Sequence, residues 1–199
     1  MRSLIGVTLI VFACAAAAAH AGRESWRTHR APQAGFSIAA PANWIDFTRA
    51  TPQALRLVRV YPQLRPYLDL VRTGKAIKLV LASVTGPTFA RGFATNLNVV
   101  QTRAIGDLEL QRDATIAQLK GLHLVVGPIH ATYVRLPAGR ALKLVYHARY
   151  SQTMPALAET QFILLRAGQE SVLTYTTLPS AEARYRATFA RSARSFRYL

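Results

Sequence analysis

Two segments of the carboxy-terminal half constrain the fold more than any other part of the chain. "PIHATYVRLPAGRALKLVYHARY" (128–150) and "ETQFILLRAGQESVLTYTTL" (159–178) each hold two runs rich in apolar and β-branched residues around a glycine-containing turn, the pattern of a β-hairpin. Pairing the first about Leu136 to Gly139 sets Ile129, Ala131 and Tyr133 beside Leu142, Leu144 and Tyr146. His130, Thr132, Lys143, His147 and Arg149 then fall on the opposite face. A slip of one residue would exchange the two faces, so the apolar set fixes the register. The second hairpin turns between Ala167 and Glu170. Consecutive strands of this kind require an antiparallel sheet whose apolar faces are covered by the remaining elements.

Those elements follow from local signals. "FSIAA" (36–40) alternates Phe36, Ile38 and Ala40 as a strand with one buried face, and Pro41 ends it. Trp44 comes just after this corner and is expected to plug the core. Thr51-Pro52 is a helix start, a capping hydroxyl followed by a proline at the first helical position. Pro62 and Pro66 interrupt that helix, and a second short turn carries Leu64, Tyr67, Leu68 and Val71 before Gly74. "AIKLVLASV" (76–84) and "TNLNVVQTR" (95–103) read as strands, with Asn96 and Asn98 satisfying loop backbone. Asp107 caps a helix through Lys120 that stops at Gly121. Pro179-Ser180 opens a last helix over 181–196, whose Tyr185, Phe189, Ser192 and Phe196 recur at helical spacing and pack on the sheet. The expected fold is α+β, an α/β/α sandwich with a mainly antiparallel twisted sheet of about six to seven strands, one domain over residues 35–199.

The amino terminus reads as targeting. Met1-Arg2, an apolar run from Leu4 to Ala19, and Ala19-His20-Ala21 before Gly22 form a secretory signal peptide over residues 1–21. As a membrane span the run is marginal, since spanning takes about 20 apolar residues. A lipoprotein signal over 1–13 is the alternative, with lipidation at Cys14, although Phe12 is bulky where processing takes a small side chain. Cys14 is the chain's single cysteine, so no intrachain disulfide forms and stability rests on packing. Residues 22–34 carry three arginines and no apolar period, and read as a flexible leader.

Charge narrows the partners. Against 9 Asp+Glu stand 25 Lys+Arg, a formal net charge of +16. Such a chain is drawn to polyanions. For an exported, secreted or periplasmic protein these are anionic lipid or cell-wall polymer, besides an envelope protein partner, and nucleic acid is not expected. On the last helix Arg184, Arg186, Arg191, Arg194 and Arg197 are the candidate anionic-surface residues, consistent with peripheral or lipid-anchored membrane association.

Catalytic signatures do not emerge. There is no G-x-S-x-G, H-E-x-x-H, C-x-x-C or phosphate loop, and the nine carboxylates are scattered. His130 and His147 share a face without a third ligand, so neither a metal site nor a cofactor is expected. A hydrophobic-ligand carrier is the rival reading, and it needs a cavity between the sheet and the 52–73 segment. An enzyme is the remaining alternative, with a site assembled only in the fold.

With "GFSIAAPANWIDF" as opening strand, proline and tryptophan, "TNLNVVQTR" as central strand, then the 107–120 helix, the meander and an aromatic final helix, the chain resembles a known group. This is the fold family of the PsbP proteins of photosystem II, the Ran-binding Mog protein and small bacterial exported or lipid-anchored proteins such as LpqN. The resemblance covers residues 35–199. It implies an α/β/α sandwich, export in bacteria, and binding or scaffolding roles without a shared catalytic apparatus. The expected function is thus an exported, non-enzymatic binding or accessory protein of the cell envelope.

Overall fold

A computed structural model of the chain describes residues 25–49, 51–65, 68–69, 76–152 and 154–199. Two sheets organise it. Strands β1 (Trp26–Ala31), β2 (Phe36–Pro41) and β10 (Arg197–Tyr198) form a small sheet in the order β1-β2-β10. Strands β3 (Trp44–Asp46), β4 (Ile77–Ser83), β5 (Asn96–Arg103), β6 (Val125–Leu136), β7 (Gly139–Ala148), β8 (Leu157–Arg166) and β9 (Gln169–Thr177) form the main one, in the order β3-β4-β5-β9-β8-β7-β6. Every pairing in both is antiparallel.

The hairpins are built as the residue pattern demands. Tyr133 faces Leu142 and Ala131 faces Leu144, about a turn in which Leu136 pairs with Gly139. The expected neighbour pair Ile129 and Tyr146 falls in a bulge between Val126 and His130, where Pro128 has no N–H for the ladder. In the second hairpin Arg166 pairs with Gln169 across Ala167 (φ 49°) and Gly168 (φ 73°). Two left-handed residues match the right-handed twist of the flanking strands, and Ala167 adopts this conformation despite its Cβ.

Helices cover both faces of the main sheet. On one lie α1 (Pro52–Val60) and α2 (Leu108–Gly121), on the other α3 (Glu182–Ser195) together with the small sheet. Thr51 Oγ1 accepts from Ala54 N at 3.1 Å, and Asp107 Oδ1 from Leu110 N at 2.9 Å, so both expected caps are in place. Asp107→Ala is expected to cost about 1 kcal/mol in urea unfolding, and Asp107→Asn close to nothing.

The main core lies under α3. Phe189, Ala193 and Phe196 meet Phe36 and Ile38 of β2, Trp44 of β3, Leu97 and Val99 of β5, and Leu173 and Tyr175 of β9. Trp44 is the expected core plug, 3% exposed. Beyond β10 the exposed backbone of β2 is taken up by α3: Ser195 Oγ accepts from Ala39 N at 2.7 Å and Ser192 Oγ donates to Ala39 O at 2.7 Å. Two serine hydroxyls thereby continue the hydrogen bonding of a strand edge.

The expectation of a flexible leader over 22–34 fails for its described part. Residues 26–31 pair along their whole length with β2, from Trp26 opposite Pro41 to Ala31 opposite Phe36, and Pro32–Ala34 make a 3₁₀ turn. This is an edge strand with exposed arginines, held by backbone bonds that leave no apolar alternation in the sequence. Trp26 is covered by the Arg191 guanidinium, 4.2 Å from the ring centroid. The signal segment and Cys14 lie outside the described residues, as do Tyr67, Val71 and Gly74 of the second helical turn. Among the described residues, no helix is long and apolar enough to cross a membrane.

Candidate functional site

α3 covers only part of its side of the main sheet. It rests on β2, β9 and β8, while β7 and β6 extend past it. The face that the hairpin pattern makes polar lines the resulting groove, of about 380 Å³. His130 and Thr132 of β6 form its outer rim, exposed to solvent. Lys143 and Val145 of β7 and Thr160 and Phe162 of β8 form the floor, and Glu182, Arg186, Phe189 and Ala190 of α3 the inner wall. Phe189 is held rigidly there, stacked on Tyr175 at 4.9 Å and on Tyr185 at 5.7 Å between centroids.

The electrostatics of the groove are asymmetric. Among its described lining residues Glu182 is the only carboxylate, and His147 Nε2 stands 3.2 Å from Glu182 Oε2. The Lys143 ammonium lies over the Phe162 ring, 6.0 Å from its centroid. Cationic groups, two threonine hydroxyls and an apolar floor therefore converge on one cleft, the composition of a small-molecule binding site. His130 and His147 do share a sheet side, but His147 is engaged with Glu182. Among the described residues no three His, Cys, Asp or Glu side chains come together as metal ligands.

The candidate arginines differ in their neighbours. All five are exposed, yet Arg184 lies beside Asn43, Trp44 and Thr85, Arg186 lines the groove, and Arg194 faces the β6–β7 turn at Arg135 and Pro137. Arg191 covers Trp26, and Arg197 donates to the carbonyls of Arg194 and Phe196 at 2.7 and 2.8 Å. Along the helix Arg191 stands seven residues after Arg184 and three before Arg194, on the same exposed side, whereas Arg186, two residues on from Arg184, turns to the groove.

Among the described residues of the 52–73 segment, the leucines do not line an open cavity of the kind the hydrophobic-carrier reading needs. Leu64 and Leu68 pack with Phe47, Ala54, Val80, Ala82 and Ala94, with Leu57 and Val58 against them. Those leucines fill space rather than line it. A further depression of about 760 Å³ between β1 and the start of β4 is polar, and includes His29 and Asp46 with His29 Nδ1 3.8 Å from Asp46 Oδ2. Burial favours the neutral acid of Asp46, but the neighbouring His29 imidazole and the Thr48 backbone N–H, which donates to Oδ1 at 2.8 Å, outweigh it and hold the carboxyl below its ordinary value.

One buried titratable group was invisible to motif reading. Glu159, at the start of β8, is 1% exposed and sits between Tyr146 and Thr176 in the strand register. Burial pushes its carboxyl up to about 7, against the hydroxyls of Tyr150 and Thr176, which each donate to it at 3.0 Å. The sequence signal available was a lone acid inside a strand pattern otherwise apolar and threonine-rich. Asn96 behaves as expected, its Nδ2 donating to Ala94 O at 3.1 Å.

The layering and strand order define an α/β/α sandwich of the PsbP and Mog type. No protein-family model and no curated protein matches the chain by sequence. Among solved structures it is similar to the PsbP protein of the cyanobacterium Synechocystis, with 11% identity, a TM-score of 0.56, and 90% of this chain and 96% of that one covered. It is likewise similar to the Ran-binding protein Mog1p of Saccharomyces cerevisiae, with 10% identity, a TM-score of 0.54, and 88% and 96% coverage. LpqN of Mycobacterium tuberculosis, described as involved in cell envelope biogenesis, aligns with a TM-score of 0.44 at 11% identity over 89% of this chain and 86% of that one. The fold-level resemblance read from residues 35–199 is thus present in the structure, extended at the amino-terminal side by β1.

Proposed function

We propose that the chain is an exported, non-enzymatic binding or accessory protein of the cell envelope, and that the groove beside α3 is where it takes its ligand. The observation that carries this reading is the composition of that groove: convergent polar groups over Phe162, Val145 and Phe189. No group of three or more potential metal ligands accompanies them among the described residues. Export rests on the signal at residues 1–21. The carrier role is relocated from the α1 side to the α3 side.

Mass spectrometry of the protein recovered from its host's envelope tests both halves. The denatured chain is expected to begin at Gly22, or to carry lipid on Cys14. An uncleaved chain recovered from the cytoplasm would overturn export. Under native conditions the wild type is expected to carry a small non-covalent ligand that is lost in Ala190→Trp, which fills the groove from the α3 wall. Equal loading of the two proteins, or no loading of either, would remove the groove from the function.

A further inference from the structure

We infer that the groove beside α3 selects a single-chain amphiphilic anion, a medium-chain carboxylate, with its acid group between Lys143 and Arg186 and its chain over Phe162 and Val145. This rests on the reading of the groove as the ligand site and adds the chemical class of what enters it.

Charge is the first reason. Glu182, the one carboxylate among the described lining residues, already faces His147 at 3.2 Å. Among the described residues neither Lys143 nor Arg186 forms an ion pair, so two cationic side chains reach the cleft without a salt-bridge partner. They come from opposite sides, Lys143 from the sheet floor and Arg186 from the helix wall, so a group bound between them meets both. A carboxylate there accepts charge-assisted hydrogen bonds, with Thr132 and Thr160 as additional hydroxyl donors.

Shape and surface give the second. The Lys143 ammonium lies 6.0 Å from the centroid of the Phe162 ring, so charge and apolar surface meet within the groove. Beside it Val145, Phe189 and Ala190 extend the apolar surface along the helix. At about 380 Å³ the groove is at the small end of ligand sites, which run to roughly 1,000 Å³. That suits one short chain and excludes a two-chain lipid lying fully within it.

The test uses the mature protein purified from cells expressing the full chain, and three probes: decanoate, its neutral analogue decanol, and inorganic phosphate. Calorimetry gives affinities, and amide shift mapping locates the site at residues 130–132, 143–145 and 160–162. Decanoate is expected to bind in the groove about tenfold or more tightly than either other probe. The double variant Lys143→Met, Arg186→Met keeps the apolar stems and is expected to lose that advantage while binding decanol unchanged. Decanol binding as well as decanoate, or a double variant that keeps full preference for decanoate, would overturn the anion while leaving the groove as a ligand site. Phosphate matching decanoate would overturn the apolar part. Binding of no probe, with groove shifts absent, would overturn the class and, if the wild type also carries nothing from its host, the groove reading with it.

Discussion

Phe196→Ala is expected to lower the free energy of unfolding by about 3–5 kcal/mol, the range for truncating a fully buried phenylalanine. Phe196 ends α3 and begins the turn into β10, with 0% exposure. Its ring lies 5.4 Å from Phe36 of β2 and 5.1 Å from Tyr198 of β10, centroid to centroid. One side chain thus joins the last helix to β2, the central strand of the small sheet. A cavity here cannot be closed by a small shift, because β10 pairs with β2 through Arg197 and Tyr198, and α3 is pinned to β2 through Ser192 and Ser195. With domain stabilities of roughly 5–15 kcal/mol, the variant should unfold at markedly lower urea. Leu199→Ala, at a side chain 57% exposed, is the control and should change stability by less than about 0.5 kcal/mol. Equal stability of Phe196→Ala and the wild type would mean that the small sheet and α3 are not one cooperative unit with the main sheet.

What could be read in the sequence depended on whether a residue's role shows as a period. Phe189, Ser192 and Phe196 recur at helical spacing and are buried together. The hairpin strands alternate, and their register follows from Leu142 and Leu144 having to face inward. β1 was missed because its partner is the backbone of β2, and backbone pairing leaves no trace in side-chain pattern when both faces of an edge strand are polar or half-covered. The groove was half legible. The alternation placed His130, Thr132 and Lys143 on one side of the sheet, but only the packing of α3 shows that Arg186 and Phe189 stand opposite them. For the arginines the sequence shows the cations but not what they meet: Arg186 lines the groove, Arg191 covers Trp26 and Arg194 faces the β6–β7 turn.

Glu159 sets the second large expectation, a stability that falls as pH rises from about 4.5 to about 7. Its carboxyl is pushed from an ordinary 4.5 up to about 7 because burial disfavours the charged form by more than the Tyr150 and Thr176 hydroxyls favour it. Between those pH values the folded chain holds a proton that the unfolded chain has released. Unfolding is then opposed by proton binding at low pH, and this contribution is full below about 4.5 and gone above about 7. At about 1.4 kcal/mol per pH unit it amounts to roughly 3 kcal/mol. The partly buried Asp46 is held low rather than high and changes protonation below its ordinary 3.8, outside this window. Glu159→Gln keeps the shape and cannot ionise. The difference in unfolding free energy between Glu159→Gln and the wild type should therefore grow in favour of the variant by roughly 3 kcal/mol from pH 4.5 to pH 7.5, read from urea unfolding at both ends. Tyr150→Phe removes a donor that favours the carboxylate, so it should destabilise by about 1 kcal/mol at pH 8 and by much less at pH 5. A pH-independent difference for Glu159→Gln would mean that Glu159 ionises in the folded protein as it does in water, and that the Tyr150 segment does not seal it.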